Sequence, residues 1–232
     1  MSNARHLVVL SGAGMSAESG IRTFRDTGGL WEEYDIYEVA TPEAFARDPE
    51  LVLRFYNMRR KAAREVEPNA GHKVIAELER DFTVTVITQN IDDLHERAGS
   101  TRVHHLHGEI LKARSVTTGK LYDCPGDIQL GDLCPDGGQL RPHVVWFGEP
   151  VPAIEEAARI CATADYFAVI GTSLQVYPAA GLIHYVPSEV PKYIIDPDLE
   201  RVPLEENLTY IQQPATTGVI ELQRLLQEAQ HG

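Results

Sequence analysis

Short apolar runs, bounded by turn residues, recur along the chain and predict buried strands. They span residues 7–10, 82–87, 166–170 and 193–195. Several of the stretches between them carry helical periodicity, which favours an α/β fold with a mostly parallel, doubly wound sheet. The last stretch, 217–229, has apolar residues at helical spacing and predicts a helix that packs on the sheet.

Two insertions interrupt this alternation of strands and helices. Residues 42–66 are rich in alanine, arginine and glutamate, with a break at Pro49, and predict helices. Residues 109–142 contain five glycines, three prolines and few apolar runs, and predict a loop-rich segment.

A glycine-rich turn follows the first strand. Gly12, Gly14 and Ala17 satisfy the relaxed pattern G-x-G-x-x-G/A, in which glycine lets the backbone approach phosphate oxygens at the start of a helix. Tight turns that bind no ligand also satisfy this pattern. Residues 24–31 then predict a loop, where a hydride-transfer domain has a second strand ending in an acidic residue. This loop is a candidate lid over a reactive cofactor.

Composition narrows the range of functions. The chain has 232 residues, and its 34 Asp and Glu against 21 Lys and Arg give a net charge of −13. This excess disfavours binding to nucleic acid or to an anionic membrane, and it suits a basic peptide as partner. The three cysteines show no disulfide framework, and no apolar run approaches the roughly 18 residues of a membrane span. With no apolar signal-peptide stretch at the N-terminus, we expect a cytoplasmic protein.

Candidate chemistry follows the second strand. Asn90 and Asp92 lie directly after it, where open α/β sheets bind ligands, although an aspartate here can also serve only as a helix cap. His104, His105 and His107 alternate between strand faces and cannot all reach one ion. A single catalytic imidazole is therefore favoured over a metal site.

Five separate motifs agree in order along nearly the whole chain. They are GAGMSAESGI at 12–21 with Phe24 and Arg25, TQNID at 88–92, LHG at 106–108, LRPHVVWFGE at 140–149 and GTSLQV at 171–176. Together they resemble the motifs of sirtuins, which are NAD-dependent protein-lysine deacylases. The resemblance implies a large Rossmann-like domain, from 1–35, 70–108 and 143–232, and a smaller domain, from the helical insertion 36–69 and the loop-rich insertion 109–142. NAD and the acylated lysine would enter the cleft between them.

The resemblance also implies roles for single residues. The acyl oxygen attacks the nicotinamide ribose, so that NAD is consumed and not reduced. His107 matches the general base, and an imidazole suits this role because its ordinary pKa is about 6.5. Asn90, Ile91 and Asp92 match the nicotinamide pocket, and Asn90 and Asp92 join His107 as implied catalytic residues. The implied cofactor contacts are Gly12, Ala13, Gly14, Ala17, Phe24, Arg25, Gln89, Asn90, Ile91, Asp92, Gly171, Thr172, Ser173 and Asp196.

Within that set, Phe24 shields the ribose and Arg25 lies near the diphosphate. Asp196 stands where many relatives carry Asn. Its carboxylate accepts from ribose hydroxyls and repels a 2′-phosphate, which favours NAD over NADP.

The implied partners are acylated-lysine proteins or peptides. Segments 147–149 and 174–176 resemble two strand edges between which a peptide is added as a third strand. The implied substrate contacts are Tyr56, Arg59, Val144, Phe147, Gly148, Glu149, Leu174 and Val176.

Tyr56 and Arg59 point to the kind of acyl group. A helix places them on one face, where a planar guanidinium and a phenol can grip one carboxylate. The pair is similar to that of sirtuins that remove succinyl and malonyl groups, and deacetylation is expected to remain. The alternative is that Tyr56 belongs to the core while Arg59 and Arg60 form a solvated basic face.

The chain departs from the sirtuin pattern at the zinc site. Most sirtuins hold a structural zinc with two C-x-x-C pairs, whereas here Ser115 and Thr118 stand at the first pair and Cys134 is the single thiol near the second. We therefore expect no metal. Hydrogen bonds, with apolar packing around Leu121, Tyr122, Ile128 and Leu130, are expected to hold the insertion. The alternative is a site built from Cys124, Cys134, Asp136 and a nearby aspartate.

The sequence thus predicts an NAD-dependent deacylase, expected to act as a monomer, that releases nicotinamide and O-acyl-ADP-ribose. The alternatives are a protein mono-ADP-ribosyltransferase, a non-catalytic module that binds acyl-lysine or NAD, and a hydride-transfer dehydrogenase.

Overall fold

The computed structural model describes residues 4–23, 33–172, 174–198 and 207–231. The strands in these ranges are β1 His6–Ser11, β2 Thr83–Thr88, β3 Val103–His105, β4 Gly108–Ser115, β5 Leu121–Asp123, β6 Leu140–Val144, β7 Tyr166–Ile170, β8 Lys192–Ile195 and β9 Leu208–Ile211. The α-helices are α1 Ala13–Ala17, α2 Ile36–Val39, α3 Pro42–Arg47, α4 Pro49–Glu65, α5 Ala70–Glu77, α6 Leu94–Ala98, α7 Ile154–Cys161 and α8 Ala215–His231. None of these described helices has the length and apolar character needed to cross a membrane.

A parallel sheet of six strands, in the order β3-β2-β1-β7-β8-β9, forms the centre of the molecule. The four strands expected from the apolar runs are its inner strands, and the α/β, doubly wound prediction is confirmed. The edge strand β9 is not among the predicted strands. It has four residues, of which one is fully buried, so no apolar run marks it.

The central strand β1 separates two hydrophobic cores. Leu7 and Val9 face one core, which includes residues of α5 and α8, and Val8 and Leu10 face the other, which includes residues of α7. All four side chains are fully buried. Successive side chains of a strand point to opposite faces, so a strand that is apolar at every position is covered on both.

The helical insertion divides at a proline, as predicted. Helix α3 ends at Arg47, and α4 begins at Pro49. The carboxylate of Asp48 caps α4 by accepting from the backbone N of Leu51 at 2.9 Å. Proline is favoured in the first turn because it has no N–H that needs a partner.

A small antiparallel sheet, in the order β5-β4-β6, lies within the segment predicted to be loop-rich. The packing of this segment differs in part from the expectation. Ile128 is fully buried with Leu53 of α4 and Ala113 of β4, as expected for Ile128. The predictions for Leu121 and Leu130 are wrong, because these side chains are 47% and 53% exposed.

Asp136 joins the two segments where the resemblance to sirtuins would place zinc-binding cysteine pairs. Its Oδ1 accepts from Ser115 Oγ at 3.0 Å and from Cys134 Sγ at 2.6 Å. Oδ1 also accepts from the backbone N of Gly138 at 2.9 Å, and the Thr118 hydroxyl donates to Oδ2. In the part of the chain that the structure describes, no group of three or more His, Cys, Asp and Glu is placed to hold a metal ion. The absence of zinc stays a prediction.

We predict that Asp136→Asn lowers the melting temperature at neutral pH, because an amide cannot accept with both of its terminal atoms. Hydrogen bonds from Cys134, Thr118 and Gly138 hold the pKa of Asp136 well below its usual range. The charged form therefore contributes stability above the ordinary aspartate pKa of about 3.9, and this contribution is lost as the pH falls further. Thermal melts across the acidic range should show the wild type losing its advantage over Asp136→Asn.

The matched control is Asp123→Asn, which removes an exposed carboxylate in β5 of the same sheet. This variant should melt like the wild type at every pH. An Asp136→Asn deficit that is the same at acidic and neutral pH would contradict the assignment of the cluster.

Candidate active site

A cavity of about 680 Å³ opens at the carboxyl ends of the parallel strands. The turns that follow β1, β2, β7 and β8 all contribute to its lining. Open α/β sheets bind ligands at this edge, where loops from neighbouring strands surround a crevice. The predicted site residues in the lining are Gly12, Ala13, Gly14, Ala17, Tyr56, Arg59, Gln89, Asn90, Ile91, Asp92, His107, Val144, Phe147, Gly148, Glu149, Gly171, Thr172, Val176 and Asp196.

Four predicted residues are not among that lining. Leu174 packs against one of the two sheet cores. Phe24, Arg25 and Ser173 lie outside the described residues, together with the rest of the proposed lid loop.

The turns after β1 and β7 pack backbone to backbone. The N–H of Gly12 donates to the carbonyl of Ile170 at 3.0 Å, and that of Gly14 donates to the carbonyl of Gly171 at 2.9 Å. A Cβ on Gly14 would lie 2.7 Å from the Cα of Gly171, and Gly171 has a φ of +60°. Glycine is therefore required here by the close approach of the two turns.

Buried hydrogen bonds fix the predicted nicotinamide pocket. The side-chain amide of Asn90 donates to the carbonyl of Gly12 at 3.0 Å and to Ser16 Oγ at 3.1 Å. The Ser16 hydroxyl donates to Asp92 Oδ2 at 3.1 Å, and the backbone N of Leu94 donates to Oδ1 at 3.2 Å. Burial raises the pKa of Asp92. Asn90 and Asp92 are thus pre-oriented before any ligand arrives.

Ser16 and Trp146 are residues of this site that sequence reasoning missed. Ser16 is 1% exposed and joins Asn90 to Asp92, and Trp146 is 3% exposed and lines the cavity next to Tyr56. A hydroxyl at a buried helix position is the signal that could have identified Ser16. Trp146 lies inside a recognised motif, but nothing in its sequence position shows which way the indole points.

A second set of bonds supports the pocket from below. The hydroxyl of Ser11 donates to Thr88 Oγ1 at 2.9 Å, and it lies 3.0 Å from Nε2 of His95. Thr88 Oγ1 also accepts from the backbone N of Asn90 at 3.0 Å. The ends of β1 and β2 are therefore joined to each other and to the pocket.

His107 has the geometry of a base. Its Nδ1 lies 3.0 Å from the backbone carbonyl of Gln89. A carbonyl only accepts, so Nδ1 carries the proton in the neutral ring and Nε2 keeps its lone pair. Burial lowers the pKa of His107, which favours the neutral ring at neutral pH. The imidazole lines the cavity with an available proton acceptor.

The neighbouring histidines have separate partners. His104 Nε2 lies 3.2 Å from the carbonyl of Ala153, and His105 Nε2 lies 2.8 Å from a carboxylate oxygen of Glu96. Their placement agrees with the expectation that the three rings do not share one ion.

Tyr56 and Arg59 both line the same cavity as His107. The guanidinium carbon of Arg59 lies 5.8 Å from the ring centroid of Phe55 and 6.0 Å from that of Tyr56. Burial raises the pKa of Tyr56 to about 12, so its phenol keeps its proton. Arg60 is fully buried, which contradicts the alternative of a solvated basic face at Arg59 and Arg60. Tyr56 is 4% exposed and packs in a hydrophobic core, which agrees with the other part of that alternative.

Glu149 differs from the other predicted substrate contacts. Arg141 donates to its two oxygens at 2.7 and 3.1 Å, and Arg114 donates to them at 3.0 and 3.1 Å. The backbone N of Trp146 adds a bond at 2.8 Å. The carboxylate is thus engaged within the protein. In the backbone of this segment, the N–H of Phe147 donates to the carbonyl of Ala40 at 3.0 Å, and that of Glu149 donates to the carbonyl of Trp146 at 3.0 Å.

A parallel sheet whose strand-end turns surround a cavity, with glycines where two of the turns approach most closely, is typical of dinucleotide-binding α/β proteins. Residues 12–178 match the sequence model of the Sir2 family. The chain belongs to the Sir2 family, as the sirtuin resemblance predicts.

Relatives in sequence and structure agree with this assignment. The chain is 53% identical over 229 residues to an NAD-dependent protein deacylase of Bacteroides thetaiotaomicron, covering 96% of this chain and 98% of that one. It is 51% identical over 219 residues to a Helicobacter pylori protein of the same name, covering 94% of each. A solved Sir2 homologue in complex with NAD superimposes with a TM-score of 0.85 at 40% identity, over 97% of this chain and 91% of that chain.

We predict that Gly14→Ala disrupts the packing of the two turns. The added methyl meets backbone, which cannot move aside cheaply, so the free energy of unfolding should fall by about 1–3 kcal/mol. Denaturant unfolding and calorimetric titration with NAD should show lower stability and weaker binding. Gly126→Ala is the control, because a Cβ there meets nothing within 4 Å. Equal stability and NAD affinity in the two variants would contradict this account of the turn.

Proposed function

We propose that this chain, an NAD-dependent protein-lysine deacylase of the Sir2 family, prefers succinyl- and malonyl-lysine and also removes acetyl groups. The observation that carries the proposal is the shared cavity. A neutral imidazole at His107, the buried Asn90–Asp92 pair and the Tyr56–Arg59 pair all line it. The overall reaction takes NAD, acyl-lysine and water to nicotinamide, lysine and O-acyl-ADP-ribose.

The groups along the cavity suit NAD. The carboxylate of Asp196, after β8, can accept from ribose hydroxyls, and the turn of Gly12 and Gly14 brings backbone close to the diphosphate. The buried side chains of Asn90 and Asp92 suit the carboxamide of nicotinamide. NAD supplies a ribose carbon that becomes reactive as nicotinamide leaves.

Asn90 and Asp92 hold the carboxamide group in this proposal. Each oxygen of Asp92 already accepts one internal bond and has a second lone pair for a ligand N–H. Because Ser16 holds both side chains in place, binding of the carboxamide requires little further loss of side-chain entropy.

His107 removes a proton from a ribose hydroxyl. The bond from Nδ1 to the carbonyl of Gln89 orients the ring and leaves Nε2 as the acceptor. Gln89 itself is held by a bond from its side-chain amide to Thr172 Oγ1 at 3.0 Å. The base is thus attached to the turns after both β2 and β7.

Tyr56 and Arg59 recognise the carboxylate of an acidic acyl group. Arg59 provides the charge and the planar fork, and the protonated phenol of Tyr56 provides a neutral donor. An acetyl group has no carboxylate to use these donors, yet it fits the same apolar wall of Trp146 and Val144. Acidic acyl groups are therefore preferred, and acetyl groups are still accepted.

The peptide lies between segments 147–149 and 174–176 and pairs through its main chain. Gly148 has a φ of +87°, which opens a turn in the first of these segments. Main-chain pairing tolerates many sequences, and the net charge of −13 favours basic surroundings of the modified lysine. The protein acts as a monomer in this proposal.

We predict that His107→Ala lowers kcat by about 10²- to 10⁴-fold, the usual contribution of a general base. In the wild type, kcat/KM should fall as the pH drops through a pKa below the ordinary value of about 6.5, because burial disfavours the protonated ring. Nicotinamide release measured across pH tests both points. His104→Ala should keep the wild-type profile, since its ring bonds outside the cavity lining. Full activity in His107→Ala would refute the assignment of the base.

We predict that Arg59→Met reduces the preference for succinyl-lysine over acetyl-lysine by about tenfold to a hundredfold. A hydrogen bond to a charged group contributes about 1.5–3 kcal/mol, which corresponds to that range. One peptide carrying acetyl-, malonyl- or succinyl-lysine is incubated with enzyme and NAD, and the products are measured by mass spectrometry.

Arg54→Met is the matched control, because Arg54 is an exposed arginine of the same helix. Preference for acetyl-lysine in the wild type, unchanged in Arg59→Met, would reduce the proposal to a plain deacetylase. Covalent ADP-ribose on the peptide, with no acyl transfer, would favour the transferase alternative.

A further inference from the structure

Helix α4 carries two sets of functional side chains on different faces. Tyr56 and Arg59 lie on the face that lines the cavity. Asn57, Arg60 and Arg64 lie on a second face, at the i, i+3 and i+7 spacing that aligns side chains along a helix. Successive residues are about 100° apart on a helix of 3.6 residues per turn, so the two faces are neighbours.

The second face binds the backbone of the loop-rich insertion, residues 109–142. The side-chain amide of Asn57 donates to the carbonyl of Ile128 at 2.8 Å, and its oxygen accepts from the backbone N of Ile128 at 2.9 Å. Arg64 donates to the carbonyl of Pro125 at 2.6 Å and to Asp127 Oδ1 at 3.2 Å. The helix thus holds the segment 125–128 at two points.

Arg60 lies between these two points and is fully buried. Its Nε donates to the carbonyl of Gly126 at 2.8 Å, and its Nη2 donates to that of Cys124. Its Nη1 donates to the carbonyl of Ile110 in β4. One guanidinium therefore joins α4, the insertion loop and strand β4. A lysine offers no planar fork and cannot reproduce this arrangement.

The bond to Ile110 connects Arg60 with the cofactor pocket. The backbone N of Ile110 donates to the carbonyl of Ile91 at 2.7 Å, and Ile91 lines the cavity between Asn90 and Asp92. The carbonyl of Ile110 is thus bonded to Arg60 of α4, and the N–H of Ile110 is bonded to Ile91 of the predicted nicotinamide pocket. These two bonds are one link between the pocket and α4, the helix that carries Arg59.

We propose that Arg60 is a positioning residue for acyl selectivity: it sets the placement of the Tyr56–Arg59 face relative to the cofactor pocket. This inference rests on the proposed function, since it concerns how the carboxylate of an acidic acyl group is reached. A carboxylate bound by a fork is sensitive to small displacements, whereas a methyl group in an apolar pocket is not. Loosening Arg60 therefore affects succinyl-lysine more than acetyl-lysine.

The test compares Arg60→Lys with wild type, using one peptide in its succinyl- and acetyl-lysine forms. KM for the succinyl peptide should rise about tenfold, since a displacement of about 1 Å can cost as much as 10²-fold. KM for the acetyl peptide and kcat for both should stay within about twofold, because the variant changes no side chain of the base or of the nicotinamide pocket. Thermal melts record any loss of stability separately.

Asn57→Ala is a second variant, for use if Arg60→Lys folds poorly. It removes only the two bonds to Ile128 and should shift selectivity in the same direction by less. Arg54→Lys is the control, because this exposed side chain of α4 pairs with Glu50 of the same helix.

Each outcome has a distinct meaning. A selective rise in KM for the succinyl peptide supports the proposal. An equal loss with both peptides, or unchanged selectivity in Arg60→Lys, overturns it and leaves the proposed function standing if the wild type still prefers succinyl-lysine. A wild type with no acidic preference, and no response to Arg59→Met, overturns the proposed acyl specificity and this inference together.

Discussion

The close packing of the turns after β1 and β7 is the constraint on which the site depends. Two backbone hydrogen bonds join Gly12 and Gly14 to the end of β7, at a separation that leaves no room for a Cβ. This packing fixes α1, and with it the hydroxyl of Ser16, against the turn after β2. The orientation of Asn90 and Asp92 thus follows from main-chain geometry, which side chains elsewhere cannot easily disturb.

Buried polar side chains beneath the cavity extend this hydrogen-bonded packing to the ends of β1 and β2. Ser11, Thr88 and His95 are all buried, and their bonds join two strand ends and the backbone of Asn90. Burial lowers the pKa of His95 well below the ordinary value, so the ring is neutral. Bonds in such a low-dielectric region are strong when made and costly when lost. They give the loop after β2 a rigidity that its sequence alone does not.

Much of this architecture could be predicted from the sequence, because local patterns of a few residues mark the inner strands and the start of α4. Inner strands are buried on both faces, so apolar runs reveal β1, β2, β7 and β8, and Pro49 marks the start of α4. The carboxyl ends of those strands then locate most of the cavity. Contacts between distant segments have no such signal. The arginines at 114 and 141 that hold Glu149, and the carbonyls that hold Arg60, are brought together by the fold.

The lack of a local sequence signal also explains why the structure of the loop-rich insertion could be predicted only in part. Strand β5 is three residues long with two exposed, so no apolar run marks it, and Leu121 and Leu130 could not be distinguished from core residues by type. Asp136 could be identified as one of the acidic residues near Cys134, but its bonds to Ser115 and Thr118 join positions 21 and 18 residues apart, and local spacing does not reveal such pairs.

The grip of α4 on the insertion uses main-chain carbonyls at nearly every point. Arg60 touches the peptide oxygens of residues 110, 124 and 126, and Asn57 touches both polar groups of one peptide backbone. Side chains at these positions can therefore be exchanged without removing an acceptor. The side chains on the outer surface of the loop-rich insertion can change while the main-chain bonds that place it against α4 are kept.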